Sequence, residues 1–341
     1  MTRLSWKIAA LALGALAVSL PARVLNAQEL PQVDEAQQFQ RVRTLQESAQ
    51  PATGAEPALY PGEEADTGKQ VILETAQPHW NWVNINLDAQ YFYTSNAFLS
   101  GTGLNGRQKS GTLMLVTTAQ GEIDAPPIRL PYGQLFTEVG YQEQRFDYGF
   151  GDAHNDVRRL DFDVANVYAN AQYDLPGQWT IAGNLIYTRF LNDGNYLEFY
   201  KELVPTLRIR KAFNLGDKLR AAMEYSANYR FTDEVPFPQQ SRGANNRTDQ
   251  ALDFGLTWQV SQKFGVRPFY RFQYSYYPDY YAGQSRNDFL NTLGVSADYS
   301  FNDWSTIRLF LTYEFRNSDA STVPNYQNLD VGAGLSVSLR F

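Results

Sequence analysis

The chain has 341 residues, a formal net charge of −7, no cysteine and 14% aromatic residues, 22 of them tyrosine. The acidic balance argues against a nucleic-acid-binding protein, which needs a basic surface. The lack of cysteine excludes a disulfide framework, a thiolate metal site, a cysteine nucleophile and a lipid-bearing N-terminal cysteine.

The first 27 residues are predicted to be a secretory signal peptide. Arg3 and Lys7 precede an apolar stretch over 8–20, and Ala27 offers a small residue before a cleavage point. The apolar stretch is too short for a comfortable membrane-spanning helix, although an uncleaved anchor is the alternative. Removal of the signal peptide changes the net charge to −10.

Residues 28–79 are predicted to form a periplasmic segment with one short helix at about 34–49 and a Pro-rich linker. Asp34 is a suitable N-cap, and the helical stripe consists of Ala36, Phe39, Val42 and Leu45. Disorder is an equal alternative because the composition is polar and poor in β-branched residues. A periplasmic tether is favoured over a plug or an oligomerising coil, since a helix this short is marginal alone.

Residues 80–341 alternate between apolar and polar side chains, which is typical of strands with one oily and one wet face. The pattern predicts about twelve strands, each near the length that a tilted strand needs to cross a bilayer. Their ranges are 82–94, 112–119, 134–143, 160–173, 179–190, 203–213, 219–231, 252–260, 264–277, 289–301, 306–316 and 329–341.

The fourth predicted strand changes parity. Phe162 and Val164 fall on the opposite face from Val167 and Tyr173. An extra residue in one strand produces such a change, so the sequence predicts a β-bulge near Ala165.

The predicted connections alternate in length. Those after even-numbered strands are mostly short, with 121–133 as the exception, and those after odd-numbered strands are mostly long. Outer-membrane barrels have short periplasmic turns and longer extracellular loops. An even strand count therefore places both chain ends in the periplasm.

These patterns predict an all-β fold, a closed antiparallel transmembrane β-barrel of about 12 strands. In lipid every backbone polar group must be paired, and only a closed sheet achieves this. A secreted β-sandwich also alternates but does not need such long and uniform strands. The outward face would contact outer-membrane lipid, with aromatic girdles near its two edges. The predicted girdle residues are Tyr91, Tyr93, Trp179, Tyr225, Tyr229, Tyr274, Tyr276, Phe301 and Trp304.

The chain ends on the strand LDVGAGLSVSLRF, with a terminal Phe341 and apolar residues at every second position before it. This ending resembles the C-terminal signature of bacterial outer-membrane β-barrel proteins. The resemblance implies that the last strand is recognised by the barrel-assembly machinery, through Ala333, Leu335, Val337, Leu339 and Phe341. It identifies the class and no individual subfamily.

The wet face of the strands carries many charges that are predicted to line the lumen. They are Asp88, Glu138, Arg208, Arg210, Arg220, Glu224, Arg230, Asp253, Arg267, Arg271, Asp298, Arg308, Glu314 and Arg316. Charged side chains around a pore set its selectivity. The sequence thus favours a porin-like channel for passive or weakly selective passage of small solutes, with anionic solutes suited to the arginines. The alternative is that ion pairs fill a narrow lumen and produce a purely structural barrel.

Two other function classes are weighed against the channel. Outer-membrane phospholipases with twelve strands need Ser, His and Asn, but His79 precedes the first strand and His154 lies in a long loop. The chain is therefore predicted not to be an enzyme, and no cofactor or metal is expected, because short Asp-containing stretches such as 161–163 lack the ligands of a calcium loop. An export or assembly pore remains the other alternative, since autotransporter translocators thread a helix through a twelve-stranded barrel.

Overall fold

The computed structural model describes residues 32–33, 36–40, 82–99, 111–150, 160–193, 196–234, 243–281, 284–321 and 323–341. The predicted signal peptide, both histidines and most of the 28–79 segment lie outside these residues. Among the described helical residues, none forms a helix long and apolar enough to cross a membrane.

Twelve antiparallel strands form one closed barrel, as the alternation predicts. Each strand pairs with its neighbours in the chain, and the first strand pairs with the last. The strands are β1 Val83–Thr94, β2 Thr112–Leu130, β3 Gly133–Tyr148, β4 Phe162–Leu175, β5 Trp179–Asn192, β6 Glu198–Asn214, β7 Leu219–Glu234, β8 Arg247–Gln259, β9 Phe264–Tyr281, β10 Gln284–Asn302, β11 Ser305–Ser318 and β12 Tyr326–Arg340.

The closing pair is β1 with β12, in an unbroken register from Asn84 opposite Arg340 to Thr94 opposite Asp330. The terminal residue contributes to this seam, because Phe341 donates its N–H to Val83 O at 2.9 Å and accepts from Val83 N at 3.2 Å. Closure leaves no unpaired sheet edge, which is the condition for a sheet in lipid. The barrel thus starts and finishes at the same end, the one with short turns.

The β2–β3 connection differs from the prediction. Residues 121–133 were expected to be a long exception among the short links, but β2 continues to Leu130 and only residues 131–132 form the turn. Pro126 and Pro127 suggest a loop because proline cannot donate to a ladder. The structure accommodates both at a register shift between Ala125 and Ile128. All links after even-numbered strands are therefore short.

The predicted bulge near Ala165 is wrong. β4 pairs without a register shift with β3, from Phe162 to Asp174, and with β5 over its whole length. The parity change has another cause. Phe162 and Val164 point into the lumen, where their side chains are 1% and 0% exposed.

The outer surface carries an apolar belt formed by every second residue of the strands. On β1, for example, Ile85, Leu87 and Tyr91 are exposed, whereas the alternate residues Gln90 and Phe92 are buried. A soluble monomer rarely exposes contiguous apolar surface on this scale. Together with the closed ladder, the belt gives the barrel the form of a membrane-spanning one.

Candidate functional site in the barrel lumen

Part of the predicted N-terminal segment lies inside the barrel. Residues 32–33 and 36–40, here called the lumen segment, are helical, and Gln37 and Gln38 are each 2% exposed. The sequence favoured a tether outside the barrel at this point. Its contacts with Glu202, Arg247 and Asp330 place it across the lumen, in the half nearer the long loops.

The glutamines of the lumen segment bond to the barrel wall. Gln37 donates from Nε2 to Glu202 at 3.2 Å and accepts at Oε1 from Arg247 at 2.5 Å. Gln38 donates to Asp330 at 2.7 Å. Hydrogen bonds to charged groups are each worth about 1.5–3 kcal/mol net when buried, so these contacts fix the segment more firmly than neutral ones.

The apolar side of the lumen segment packs on aromatic rings of the wall. Phe39 stacks on Phe92, with ring centroids 6.4 Å apart, and meets Phe146 edge-on at 5.6 Å. Val33 and Ala36 are fully buried in the same cluster. The segment is thus amphipathic in a lumen that offers both kinds of partner.

The apolar partners form one group, here called the lumen aromatic cluster. It consists of Phe92, Met114, Val116, Phe146, Phe162, Val164, Phe190, Tyr200 and Phe310. Its most tightly stacked pair is Phe146 with Phe162, at 4.5 Å and 7° between ring planes. These residues occupy the positions that the alternation assigns to the polar, lumen-facing side of their strands. All but Phe310 lie near the long-loop ends of the strands. This departure from alternation was the available sequence signal for a segment bound inside, and the bulge prediction misread part of it.

An ion-pair layer lies beside the cluster. Arg230 bridges Glu202 at 2.6 Å and Asp249 at 2.7 Å, and Asp249 also accepts from Arg247 at 3.0 Å. Gln37 contacts both ends of this chain, at Glu202 and Arg247. The layer is almost completely buried, so removal of any one member would leave an uncompensated charge.

A second set of buried contacts lies at the end of β9 and the start of β10, next to the connection between the two strands. Arg286 is 0% exposed, and its guanidinium lies 4.1 Å from the Tyr277 ring centre and 4.9 Å from that of Tyr280. Asp288 accepts two hydrogen bonds from the same guanidinium. Cation–π contacts in a desolvated setting are worth about 2 kcal/mol each. They stabilise the packing of β9 against β10 at this end of the barrel.

A polar cavity of about 530 Å³ occupies the rest of the lumen, between the lumen segment and the short-turn end. Gln37 and Gln40 line the end of the cavity that is nearer the long loops. Ser338 and Arg340 lie near the short-turn end, where Arg340 is exposed. This volume falls within the usual range for small-molecule sites.

The cavity has two unlike sides. On the side formed by β1 to β3, the lining includes the carboxylates Asp88, Glu122 and Glu138. Among the described lining residues of β1 to β4 there is no lysine or arginine. The lining from β6 to β12 carries five arginines and two glutamates, and the arginines are Arg208, Arg230, Arg271, Arg308 and Arg340. In a ring of twelve strands β9 stands across from β3, so Arg271 lies across the lumen from Glu138.

The fourteen charged residues predicted for the lumen are found in the cavity lining, in buried ion pairs, beside Tyr326 or in the β6–β7 pairing. The cavity lining contains Asp88, Glu138, Arg208, Glu224, Arg230, Arg271 and Arg308. Arg267 and Arg308 pair with Asp298 at 3.1 and 2.8 Å, and Arg271 pairs with Asp253 at 3.2 Å.

Glu314 accepts from Thr292 and Tyr326, while Arg316 stacks on Tyr326. Arg210 lies opposite Glu224 in the β6–β7 register, and Arg220 opposite Asn214.

The register of β6 follows the predicted parity. Leu207 and Ile209 are exposed on the outer face, and Arg208 lines the lumen between them. Lys211 lies on the outer side, where its ammonium is 5.1 Å from the Trp179 ring centre.

The residues predicted for the girdles and for assembly lie on the outer face. Tyr91, Tyr93, Trp179, Tyr225, Tyr276, Phe301 and Trp304 are exposed, and Tyr229 and Tyr274 are half-buried. Of the assembly residues, Leu335, Leu339 and Phe341 are exposed, while Ala333 and Val337 are half-buried.

Several lumen residues escaped the sequence analysis. Glu122 was missed because the second predicted strand stopped at 119, and Glu202 because the sixth started at 203. Arg340 occupies a lumen-facing position of the last strand, but the prediction for this strand considered only the outward-facing assembly residues. Among the described residues, no group of three or more His, Asp or Glu side chains is placed to hold a metal ion.

No protein-family model matches the sequence, and no curated protein matches it. Solved structures of similar architecture include an outer-membrane channel from Pseudomonas putida F1, with TM-score 0.49, 11% identity and coverage of 76% of this chain and 96% of that one. The translocator domain of the autotransporter NalP from Neisseria meningitidis has TM-score 0.43, 11% identity and coverage of 89% and 95%. The β domain of the Bordetella autotransporter BrkA has TM-score 0.41, 12% identity and coverage of 75% and 98%.

Proposed function

We propose that this protein is an outer-membrane channel whose lumen is closed by its own N-terminal segment, and that small solutes pass when this segment leaves. The observation that carries the proposal is the position of the lumen segment between the aromatic cluster and the polar cavity. A purely structural barrel has no need for a charge-lined cavity of about 530 Å³ beneath such a segment. The proposal makes the protein a transporter and not an enzyme.

The contacts of the lumen segment suit a reversible closure. Among the described residues, its side-chain bonds to the wall come from the uncharged Gln37, Gln38 and Gln40, so breaking these bonds separates no ion pair. When the segment leaves, the ion pairs of Arg230 and Arg247 with Asp249 can persist, because they do not depend on it. The wall is thereby left paired in the open channel.

The test is planar-bilayer recording of the refolded chain and of the triple variant Gln37→Ala, Gln38→Ala, Phe39→Ala. The variant loses hydrogen bonds to two carboxylates and the ring contacts with Phe92 and Phe146. We expect its open probability to rise roughly tenfold or more over the parent chain, because bonds to charged groups that hold the segment are lost. Leu309→Ala, on the outer face, is the control and should leave conductance unchanged. The absence of conductance in every form would favour a filled structural barrel.

An export or assembly pore is the second candidate, favoured by the same observation that a chain segment occupies the lumen. The two candidates differ in what crosses. Conductance that appears only after residues 28–79 are deleted, with no gating in the full chain, would favour the export pore. Gating transitions in the full chain favour the solute channel.

The proposal includes location and assembly. The apolar belt would contact outer-membrane lipid, with the short-turn end and both chain termini in the periplasm. The outward apolar residues of β12, with Phe341 at the seam to Val83, would be recognised by the barrel-assembly machinery. Removal of Phe341 is then expected to lower the amount of assembled barrel in cells by several-fold, while refolding of the purified chain in detergent proceeds.

A further inference from the structure

We infer that the polar cavity is a binding site for small zwitterionic solutes that carry an ammonium and a carboxylate at opposite ends. This assignment deepens the proposed channel function and rests on it. The carboxylates of β1 to β3 form one side of the site, here called the acidic wall, with Asp88, Glu122 and Glu138. The arginines Arg208, Arg230, Arg271 and Arg308 form the other, here called the arginine wall.

The acidic wall is built as a unit. Glu122 accepts from the Tyr168 hydroxyl at 2.9 Å and from Gln120 at 3.0 Å. Tyr168 lies flat over Gly140, whose missing side chain makes room, since an added Cβ would stand 2.3 Å from the ring. This arrangement holds the Glu122 carboxylate at a fixed place with neutral donors, while Arg340 of β12 acts on the neighbouring Asp124. A solute ammonium would give Glu122 a charge-assisted bond in addition to these neutral ones.

The arginine wall should bind anions more weakly than its number of arginines predicts, because most of these arginines are already paired with carboxylates. Arg271 is bonded to Asp253, Arg308 to Asp298, and Arg230 to Glu202 and Asp249. Paired arginines attract a second anion weakly because their field is largely compensated. Arg208 differs, since its guanidinium contacts the neutral Asn170 amide at 3.4 Å and forms no ion pair with a described carboxylate, although Glu138 and Asp253 are near enough to interact with its charge. This pattern favours one carboxylate, at Arg208, over a multiply charged anion.

Asn170 marks where the two walls meet. Its amide nitrogen donates to Glu138 at 3.3 Å, and its amide oxygen accepts from Arg208. The amide is a dipole oriented between a negative and a positive group. A zwitterion presents the same polarity with full charges, so it fits the field that already orients Asn170.

Two buried amide oxygens in the cavity add acceptors for a donor group of the solute. Asn184 Oδ1 and Asn228 Oδ1 have no hydrogen-bond partner among the described residues, although both atoms are buried. Buried polar atoms are normally paired. Both asparagines line the cavity, and they lie on β5 and β7, on either side of Thr206 and Arg208 of β6.

The test is calorimetric titration of the full chain in detergent with three probes of equal length. These are 6-aminohexanoate, hexanedioate and hexane-1,6-diammonium, which differ only in their end charges. We expect the zwitterion to bind at least roughly tenfold tighter than either symmetric ion, since each mismatched end loses a charge-assisted bond. Equal or tighter binding of hexanedioate would overturn the assignment in favour of an anion site, and binding of no probe would also overturn it.

Two variants locate the site. Glu138→Gln should weaken zwitterion binding roughly tenfold and shift the preference toward hexanedioate, whereas Arg208→Gln should shift it toward the diammonium. Asp217→Asn removes one charge from the exposed β6–β7 turn and should change nothing. Unaltered preferences in both lumen variants, with unboiled gel mobility showing that they fold, contradict the assignment. Bilayer conductance is measured separately, so failure of the site and failure of the channel are distinguishable.

Discussion

At the scale of single residues, the lumen aromatic cluster contributes stability that its exposed counterparts do not. Phe162 contacts four rings, those of Phe146, Tyr148, Phe190 and Phe199, at centroid distances of 4.5 to 6.5 Å. Phe162→Ala leaves a cavity and should lower the free energy of unfolding by about 3–5 kcal/mol. Urea titration of the refolded barrel in lipid vesicles measures this change.

Val167→Ala is the matched control, because Val167 is on the same strand but is 55% exposed on the outer face. Its methyl groups contact lipid in the membrane, so we expect a loss well below that of Phe162→Ala. Equal losses for the two variants would mean that the interior of the barrel is not packed as described.

Asp161, which precedes β4 and lies outside the strands, makes this end of the barrel sensitive to pH. Its carboxylate accepts from the Tyr148 N–H at 2.7 Å. Burial, with added repulsion from Asp147 and Asp193, raises the pKa of Asp161 to about 6. A raised carboxyl pKa means that the folded state binds the proton more tightly than the unfolded one. The resulting stability is therefore present below the unfolded pKa near 4 and is lost as pH rises through about 6.

Asp161→Asn should flatten this part of the pH profile and retain an acceptor for the Tyr148 amide. The measurement is the urea midpoint of parent and variant between pH 4 and 8, and the difference between the two curves isolates the contribution of this group. A parallel series with Asp279→Asn, an exposed carboxyl elsewhere at the same end, controls for the general loss of charge. A constant difference across the range would show that Asp161 is not the titrating group.

At the scale of elements, β12 joins the barrel into a ring through a close contact at Gly332. A Cβ at this position would lie 2.2 Å from Phe92 Cβ, and the Phe92 and Phe310 rings meet across it at 5.7 Å. Gly332→Val should therefore lower the free energy of unfolding by about 1–3 kcal/mol through overpacking, as measured by urea titration. Gly121→Val on β2 is the control because nothing lies within 4 Å of its added Cβ. Equal tolerance of both substitutions would contradict the close approach of β1 and β12.

The strands and their order could be predicted from sequence because alternation reports one simple fact, which side of the sheet faces lipid. Interior residues such as Phe92 and Phe162 do not follow that rule, since their neighbour is a segment far away in the chain. Their apolar side chains on the lumen-facing positions carried the information, but at Phe162 the sequence pattern led to the wrong prediction of a bulge. Pro126 and Pro127 likewise predict a loop, but a register shift between Ala125 and Ile128 accommodates both prolines within the β2–β3 pairing. Tertiary partners override local pattern in both cases.

At the scale of the whole molecule, closure and the apolar belt together make the barrel resistant to detergent until it is heated. Because β1 pairs with β12 along its whole length, the sheet offers no edge at which unfolding can begin. We expect the folded chain to require detergent for solubility, and to migrate on SDS gels differently before and after boiling. A truncated chain without residues 326–341 loses β12 and with it both of the pairings that close the ring. It should migrate identically in the two conditions, since the open sheet exposes the edges of β1 and β11. A parent chain that behaves like the truncated one would refute closure, and with it the position of the lumen segment and the cavity inside a membrane pore.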